Sequence, residues 1–293
     1  MSSAQGTWTK KAPFPASSRN YGLGFSVGNK GYYGMGQKQT KPFVYKTYND
    51  FWEYDLETNS WTQKSDFPGA GRLRAKGFSV NNKIFVGFGY LISASGANAG
   101  SNEYQTDLYA FDPGTNNWIK KNSAYLGRGD IFFSLKDILY SANPEFRTLN
   151  KYNAVTDTWF ERKWEKNSVA PNHSNLTGEN IGFSSGDKVY IIASAWKKNK
   201  CANQLWELDP NTVTWKQKND LPLPGNDTII VFGAGEKSYV IRGGNEVLAY
   251  SPETDAWTAK KEIPSEHKDF YPAFSIGERN YGFSKFEFWE FVP

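Results

Sequence analysis

The chain has 293 residues, a formal charge of +4 and one cysteine, Cys201, which excludes a disulfide framework and a thiolate metal cluster. Its 34 Lys and Arg against 30 Asp and Glu are too dispersed for a nucleic-acid surface. No run approaches the roughly 18 apolar residues of a membrane-crossing helix, while 17% aromatics, 27 Gly and 14 Pro point to many short strands joined by tight turns.

In chain order, the first segment with strand character is Thr7-Trp8-Thr9. The residues before it have neither a charged n-region nor an apolar h-region, and repeat material starts at once. A removed signal peptide would leave such a start, so a secreted, periplasmic or cell-surface location is expected. From Phe25 a phrase begins, FSVGNKGYY, that recurs as FSVNNKIFV from Phe78, FSLKDILY from Phe133, FSSGDKVYI from Phe183, FGAGEKSYV from Phe232 and FSIGERNYG from Phe274. Each copy reads as two apolar strands, a and b, around a short polar turn such as Gly28-Asn29-Lys30 or Asn81-Asn82-Lys83, the chemistry of a tight hairpin.

A second phrase follows five of these copies: FWEYDLETNSW to Trp61, LYAFDPGTNNW to Trp118, LNKYNAVTDTW to Trp159, LWELDPNTVTW to Trp215 and VLAYSPETDAW to Trp257. It reads as strands c and d. The openers Asp55, Asp112, Asn153, Asp209 and Ser251 are able to fold a side-chain oxygen onto nearby backbone amides. The sixth copy stops at FWEF from Phe288, without a tryptophan. Trp8 supplies it, because the interval from Trp257 through the C-terminus to Trp8 falls within the spread of the other five. The expected fold is therefore all-β, a single six-bladed propeller over 1–293. Its blades lie near 19–64, 72–121, 128–165, 178–220, 226–262 and 268–293 plus 6–11, and the N-terminal strand closes the last blade so that no edge is left free.

Four strands per repeat, an aromatic closing strand c and a tryptophan in strand d resemble the kelch family. Its double glycine after strand b is intact at Gly243-Gly244, loosened at Gly34-Met35-Gly36 and Gly87-Phe88-Gly89, and replaced at Ser141-Ala142, Ala193-Ser194 and Phe283-Ser284. The run NDFWEYDLETNSWTQKSDFPG is similar to kelch arrays of secreted bacterial proteins. The repeat tryptophans are assigned to blade-to-blade packing, as a major part of the core.

Alternating strands put the b–c and d–a connections on one face. The b–c loops are long at 37–49, 90–106 and 195–203, and the longest d–a loop is 163–180, so this face is the candidate binding surface. Six residues before each strand-a phenylalanine stand Arg19, Arg72, Gly127, Thr177, Asn226 and Lys268, with Arg74 and Arg128 nearby. Such a ring makes a positively biased funnel suited to a carboxylate, or else ties the blades together by bonding carbonyls. The same loops carry Phe43, Tyr45, Tyr48, Tyr90, Tyr104, Trp196 and Tyr271 for stacking on sugars or anchoring a protein, or for packing on one another.

His173 and His267 match no zinc spacing, and no metal or cofactor is expected. Secreted kelch propellers include copper oxidases similar to galactose oxidase, but no Tyr-His dipeptide stands here and Cys201 lies among lysines. The reading is a non-catalytic extracytoplasmic binding module for a carbohydrate or protein, with no nucleic-acid partner. The alternative comes from the resemblance to sialic-acid mutarotases, six-bladed kelch propellers of bacteria. It implies acid–base catalysis of ring opening, with Glu179, Asp227 or Asp269 beside an arginine as candidates.

Overall fold

The computed structural model describes residues 7–42, 44–92, 102–123, 130–165, 169–171, 181–197, 200–222, 229–234, 237–242, 246–260, 262, 273–284 and 287–292. Strand β1 (Thr7–Lys10) stands apart from those that follow it. Blade one is β2 (Leu23–Val27), β3 (Lys30–Gly34), β6 (Phe51–Asp55) and β7 (Ser60–Lys64), with the hairpin β4 (Gln37–Lys41) and β5 (Val44–Thr47) inserted. Blade two is β8 (Lys76–Val80), β9 (Lys83–Gly87), β12 (Leu108–Asp112) and β13 (Asn117–Lys121), with the smaller hairpin β10 (Tyr90–Ile92) and β11 (Asn102–Tyr104) inserted. Blade three is β14 (Ile131–Leu135), β15 (Ile138–Asn143), β16 (Thr148–Asn153) and β17 (Thr158–Lys163). Blade four is β18 (Ile181–Ser185), β19 (Lys188–Lys197), β20 (Lys200–Asp209) and β21 (Thr214–Gln217). Blade five is β22 (Ile229–Ala234), β23 (Lys237–Arg242), β24 (Glu246–Ser251) and β25 (Ala256–Ala259). Blade six is β26 (Ala273–Ile276), β27 (Arg279–Ser284) and β28 (Glu287–Val292), with β1 as its fourth strand.

These six antiparallel sheets are the blades of a six-bladed β-propeller, closed through β1 as the missing tryptophan required. Trp8 sits opposite Phe291 in the β1–β28 register, and their rings stack at 4.7 Å. The strands fall into two compact units, one of residues 7–126 and 270–292 with blades six, one and two, the other of 127–269 with blades three, four and five.

The turns follow from their residues. Asn81-Asn82 and Lys136-Asp137 take positive φ at both positions, as a type I′ hairpin demands, whereas Gly28, Gly186 and Gly277 take it at the first, as type II′ does. At the c–d turns the openers bond the backbone as expected: Asp55 Oδ1 accepts from Glu57 N at 2.8 Å, Asp112 from Gly114 N at 2.9 Å, Asn153 from Val155 N at 3.0 Å and Asp209 from Asn211 N at 2.8 Å. Each of these turns also holds one left-handed residue two places before its tryptophan: Asn59, Asn116, Asp157, Val213 and Asp255.

The repeat tryptophans do not fill the core as expected. Trp215 alone of the six is buried, and the others are partly exposed. Apart from Arg72 and Phe67, the largest fully buried side chains come instead from strands b and c, among them Tyr32, Tyr54, Phe111, Tyr190, Tyr250 and Tyr281. Three of the tryptophans latch neighbouring blades within their own unit. Trp61 Nε1 donates to Ala12 O at 3.2 Å, Trp118 Nε1 to Ser65 O at 2.9 Å and Trp257 Nε1 to Asn219 O at 2.9 Å. The left-handed Asn or Asp completes each latch by accepting from the same residue's amide: Asn59 from Ala12 N at 2.9 Å, Asn116 from Ser65 N at 2.9 Å, Asp255 from Asn219 N at 3.1 Å. Blade four carries Val213 at this position, a β-branched residue at φ 57° where such residues are strained. Its Trp215 Nε1 finds no hydrogen-bond partner among the described residues, and Trp164, Val213 and Trp215 belong to an apolar cluster there instead.

Candidate functional site

The site builds from the segments that lead into strands a of blades one and two. Gly36 at φ 86° and Gly89 at φ 78° follow left-handed Met35 and Phe88 and turn the chain out of β3 and β9. A Cβ on Gly36 would lie 2.6 Å from Asn20 O, and one on Gly89 2.4 Å from Leu73 O, so the loosened double glycine is a demand for close backbone approach. In blade four, where Ala193-Ser194 replaces it, no such turn forms. β19 runs straight through to Lys197 and pairs with β20, so the expected loop at 195–203 is largely an extended strand hairpin.

Arg19 and Arg72 are not surface cations. Both are buried. Arg72 donates from Nε to Ala70 O at 3.0 Å and from Nη1 to Phe88 O at 3.1 Å, and its Nη1 and Nη2 grip both oxygens of Asp107, the latter at 2.9 Å. Arg19 repeats the arrangement with Ser17 O, Met35 O and both oxygens of Asp50, and its guanidinium lies 4.1 Å from the Tyr48 ring centroid. The bidentate carboxylate expected from a ligand is supplied by the chain itself, which withdraws these two arginines from the ligand-binding set. Asp50 and Asp107 each stand one residue before strand c, and that recurrence was the overlooked signal.

A smaller, partly exposed cluster remains in the first unit. Tyr21 and Arg74 stand two residues after the buried arginines, both with positive φ, a strained conformation for bulky residues that gathers at binding sites. Arg74 N donates to Tyr21 O at 3.0 Å, and the Arg74 guanidinium lies 5.0 Å from the Tyr21 ring centroid. Leu73 and Tyr90 exchange two backbone bonds at 3.0 Å, which sets Tyr90 beside Arg74. Burial pushes the Tyr90 phenol up against a partly opposing pull from Arg74, and Tyr104 is 5.9 Å from it. Lys76, missed in the sequence, opens β8 where the corresponding residues of blades one and three are Leu23 and Ile131. Solvent reaches it, but the protein massed around it and then the Arg74 charge lower its pKa to about 8.

Tyr45, on β5, is exposed. Trp196 and Cys201 are register partners in the β19–β20 ladder. Arg128, Lys268, Tyr271, Phe43, Glu179, Asp227, Asp269, His173 and His267 lie outside the described residues, as does Gly243-Gly244. Among the described residues no three His, Cys, Asp or Glu side chains group as metal ligands, and no helix is long and apolar enough to cross a membrane.

No family model matches the chain. It is 26% identical over 231 residues to N-acetylneuraminate epimerase of Pasteurella multocida, across 74% of this chain and 52% of that protein. It is 21% identical to mouse Kelch-like protein 35 across 58% of this chain and 27% of that one. The chain thus spans about half or less of the curated relatives it matches. The solved structure of YjhT superposes with a TM-score of 0.69 and 13% identity, covering 96% of this chain and 95% of that one, a likeness of fold.

Proposed function

Taking the chain as the kelch-repeat six-bladed β-propeller it is, we propose that it recognises an acidic sugar of the sialic-acid class through Tyr21, Arg74, Lys76 and Tyr90. The observation that carries this is Lys76, a lysine beside Arg74 at the position that opens strand a, where blades one, three and four carry Leu23, Ile131 and Ile181. Two cations held together repel each other and favour an anion between them. The tyrosine rings supply faces for the sugar and hydroxyls for its polar edge. Likeness to an N-acetylneuraminate epimerase favours this anion over an acidic peptide. Saturation-transfer NMR tests it: N-acetylneuraminate gives transfer and neutral N-acetylglucosamine gives none. Equal transfer to both sugars contradicts it.

The same likeness favours a second reading, catalysis of anomer exchange on that sugar. Mutarotation needs a base for the anomeric hydroxyl and an acid for the ring oxygen, and a lysine with pKa about 8 suits such work near neutral pH. Proton NMR of anomer exchange decides between module and enzyme. Exchange that quickens with the protein and slows again in Lys76→Met makes it catalytic; exchange at the buffer rate leaves recognition alone. A secreted or periplasmic location belongs to the same proposal and is tested by fractionation of the producing cell.

A further inference from the structure

Blades one, four and six share an internal charge relay. A strand-b tyrosine donates to a strand-c glutamate directly across the ladder, and the glutamate meets a lysine three residues after the blade's tryptophan. In blade one Tyr32 Oη bonds Glu53 at 2.7 Å, with Lys64 Nζ at 3.4 Å. In blade four Tyr190 bonds Glu207 at 3.4 Å, with Lys218 at 3.8 Å. In blade six Tyr281 bonds Glu290 at 2.7 Å, with Lys11 at 3.4 Å.

Blade three keeps the two ends of this arrangement and lacks its middle. Tyr140 occupies the tyrosine position, stacked on Phe133 at 5.4 Å as Tyr32 is on Phe25, and Arg162 occupies the lysine position three residues after Trp159. Opposite Tyr140, however, the ladder places Lys151. Tyr140 is 4% exposed, and its hydroxyl has no glutamate to meet. Among the described residues neither Lys151 nor Arg162 has a carboxylate partner; Arg162 Nη1 donates to the carbonyl of Asn211. Beside these side chains a cavity of about 190 Å³ opens to the surface, lined by Tyr140, Leu149, the exposed Lys151, Phe160 and Arg162, and the Pro210-Asn211 turn.

We propose that this cavity is a binding site for a small organic carboxylate, which replaces the glutamate blade three lacks by accepting from the Tyr140 hydroxyl and pairing with Lys151 and Arg162. Three donor-bearing side chains line the cavity, two of them charged, and match the acceptor capacity of one carboxylate. Phe160 and Leu149 wall the cavity with apolar surface for a short carbon chain. Its volume lies below the roughly 300–1,000 Å³ of drug-sized pockets, which limits the ligand to the size of a short organic acid. The site shares no residue with the Arg74 and Lys76 cluster and stands whether or not that cluster binds a sugar.

The test is a titration of the protein with sodium acetate and with sodium succinate at constant ionic strength, followed by the backbone amide shifts of Tyr140 and Lys151, with chloride and inorganic phosphate as controls. A saturable shift with the carboxylates alone is expected. Tyr140→Phe, which removes one oxygen, weakens binding about threefold to tenfold. Lys151→Glu restores the internal glutamate, abolishes acetate binding and raises the melting temperature. Shifts equal to those in chloride, binding unchanged in Lys151→Glu, or phosphate binding as tightly as acetate each overturn the proposal.

Discussion

Replacing Arg72 by Met removes a guanidinium and keeps most of the side-chain volume. The side chain is 1% exposed and its partner Asp107 23%, so the substitution leaves a mostly buried carboxylate without its counter-charge. It also orphans the carbonyls of Ala70 and Phe88 and removes the cation 4.9 Å from the Phe67 ring centroid. Breaking a buried pair from one side costs about 3–5 kcal/mol; the remaining exposure of Asp107 places this one near the lower end, about 3 kcal/mol. Replacing both partners, Arg72→Met with Asp107→Leu, relieves the stranded charge and recovers part of the loss, the two carbonyls still costing about 1 kcal/mol or more. Urea unfolding followed by tryptophan fluorescence measures both, with an unchanged slope as the sign that only stability moved. A loss under about 1 kcal/mol in the single variant, or a double variant no better than the single, refutes the assignment of Arg72 as a scaffold residue.

Trp8→Ala lowers stability by about 2 kcal/mol, below the range for fully buried aromatics because Trp8 is partly exposed, and removal of residues 1–11 lowers it further by stripping the β1 ladder from β28; thermal melts check both. Asp255 is opposed by burial, but the Asn219 amide, the Tyr250 hydroxyl and Lys218 outweigh it and hold its carboxyl below the usual range. The stability it contributes is present above the ordinary aspartate pKa and is lost as pH falls through the lower folded value, so Asp255→Asn flattens the acid limb of a pH–melting curve. Lys76 loses its charge as pH rises through about 8; affinity for an acidic sugar therefore falls above that pH, and the fall is absent in Lys76→Met.

Much of the fold was legible because a propeller writes each blade into the sequence. The Phe-Ser hairpins, the Asx openers and the orphan Trp8 all stand at fixed offsets, and alternation in strands gives each offset one physical meaning. Burial was less legible. Offsets identified the tryptophans as repeat residues without telling a core position from a latch, which depends on a carbonyl of the preceding blade, such as Ser65 O. The arginines misled for a related reason: Arg72 and Arg74 differ by two residues and share a charge, yet one points into Asp107 and the other stands beside Tyr21. The missing glutamate of blade three became visible only when the ladder set Lys151 opposite Tyr140.

The measurement that bears most directly on the proposed recognition is isothermal titration of N-acetylneuraminate into the wild-type protein, Arg74→Ala and Lys76→Met at pH 7. The account predicts saturable binding to the wild type, weakened about tenfold or more in each variant, with melting temperatures unchanged. Affinity that is the same in all three proteins contradicts it.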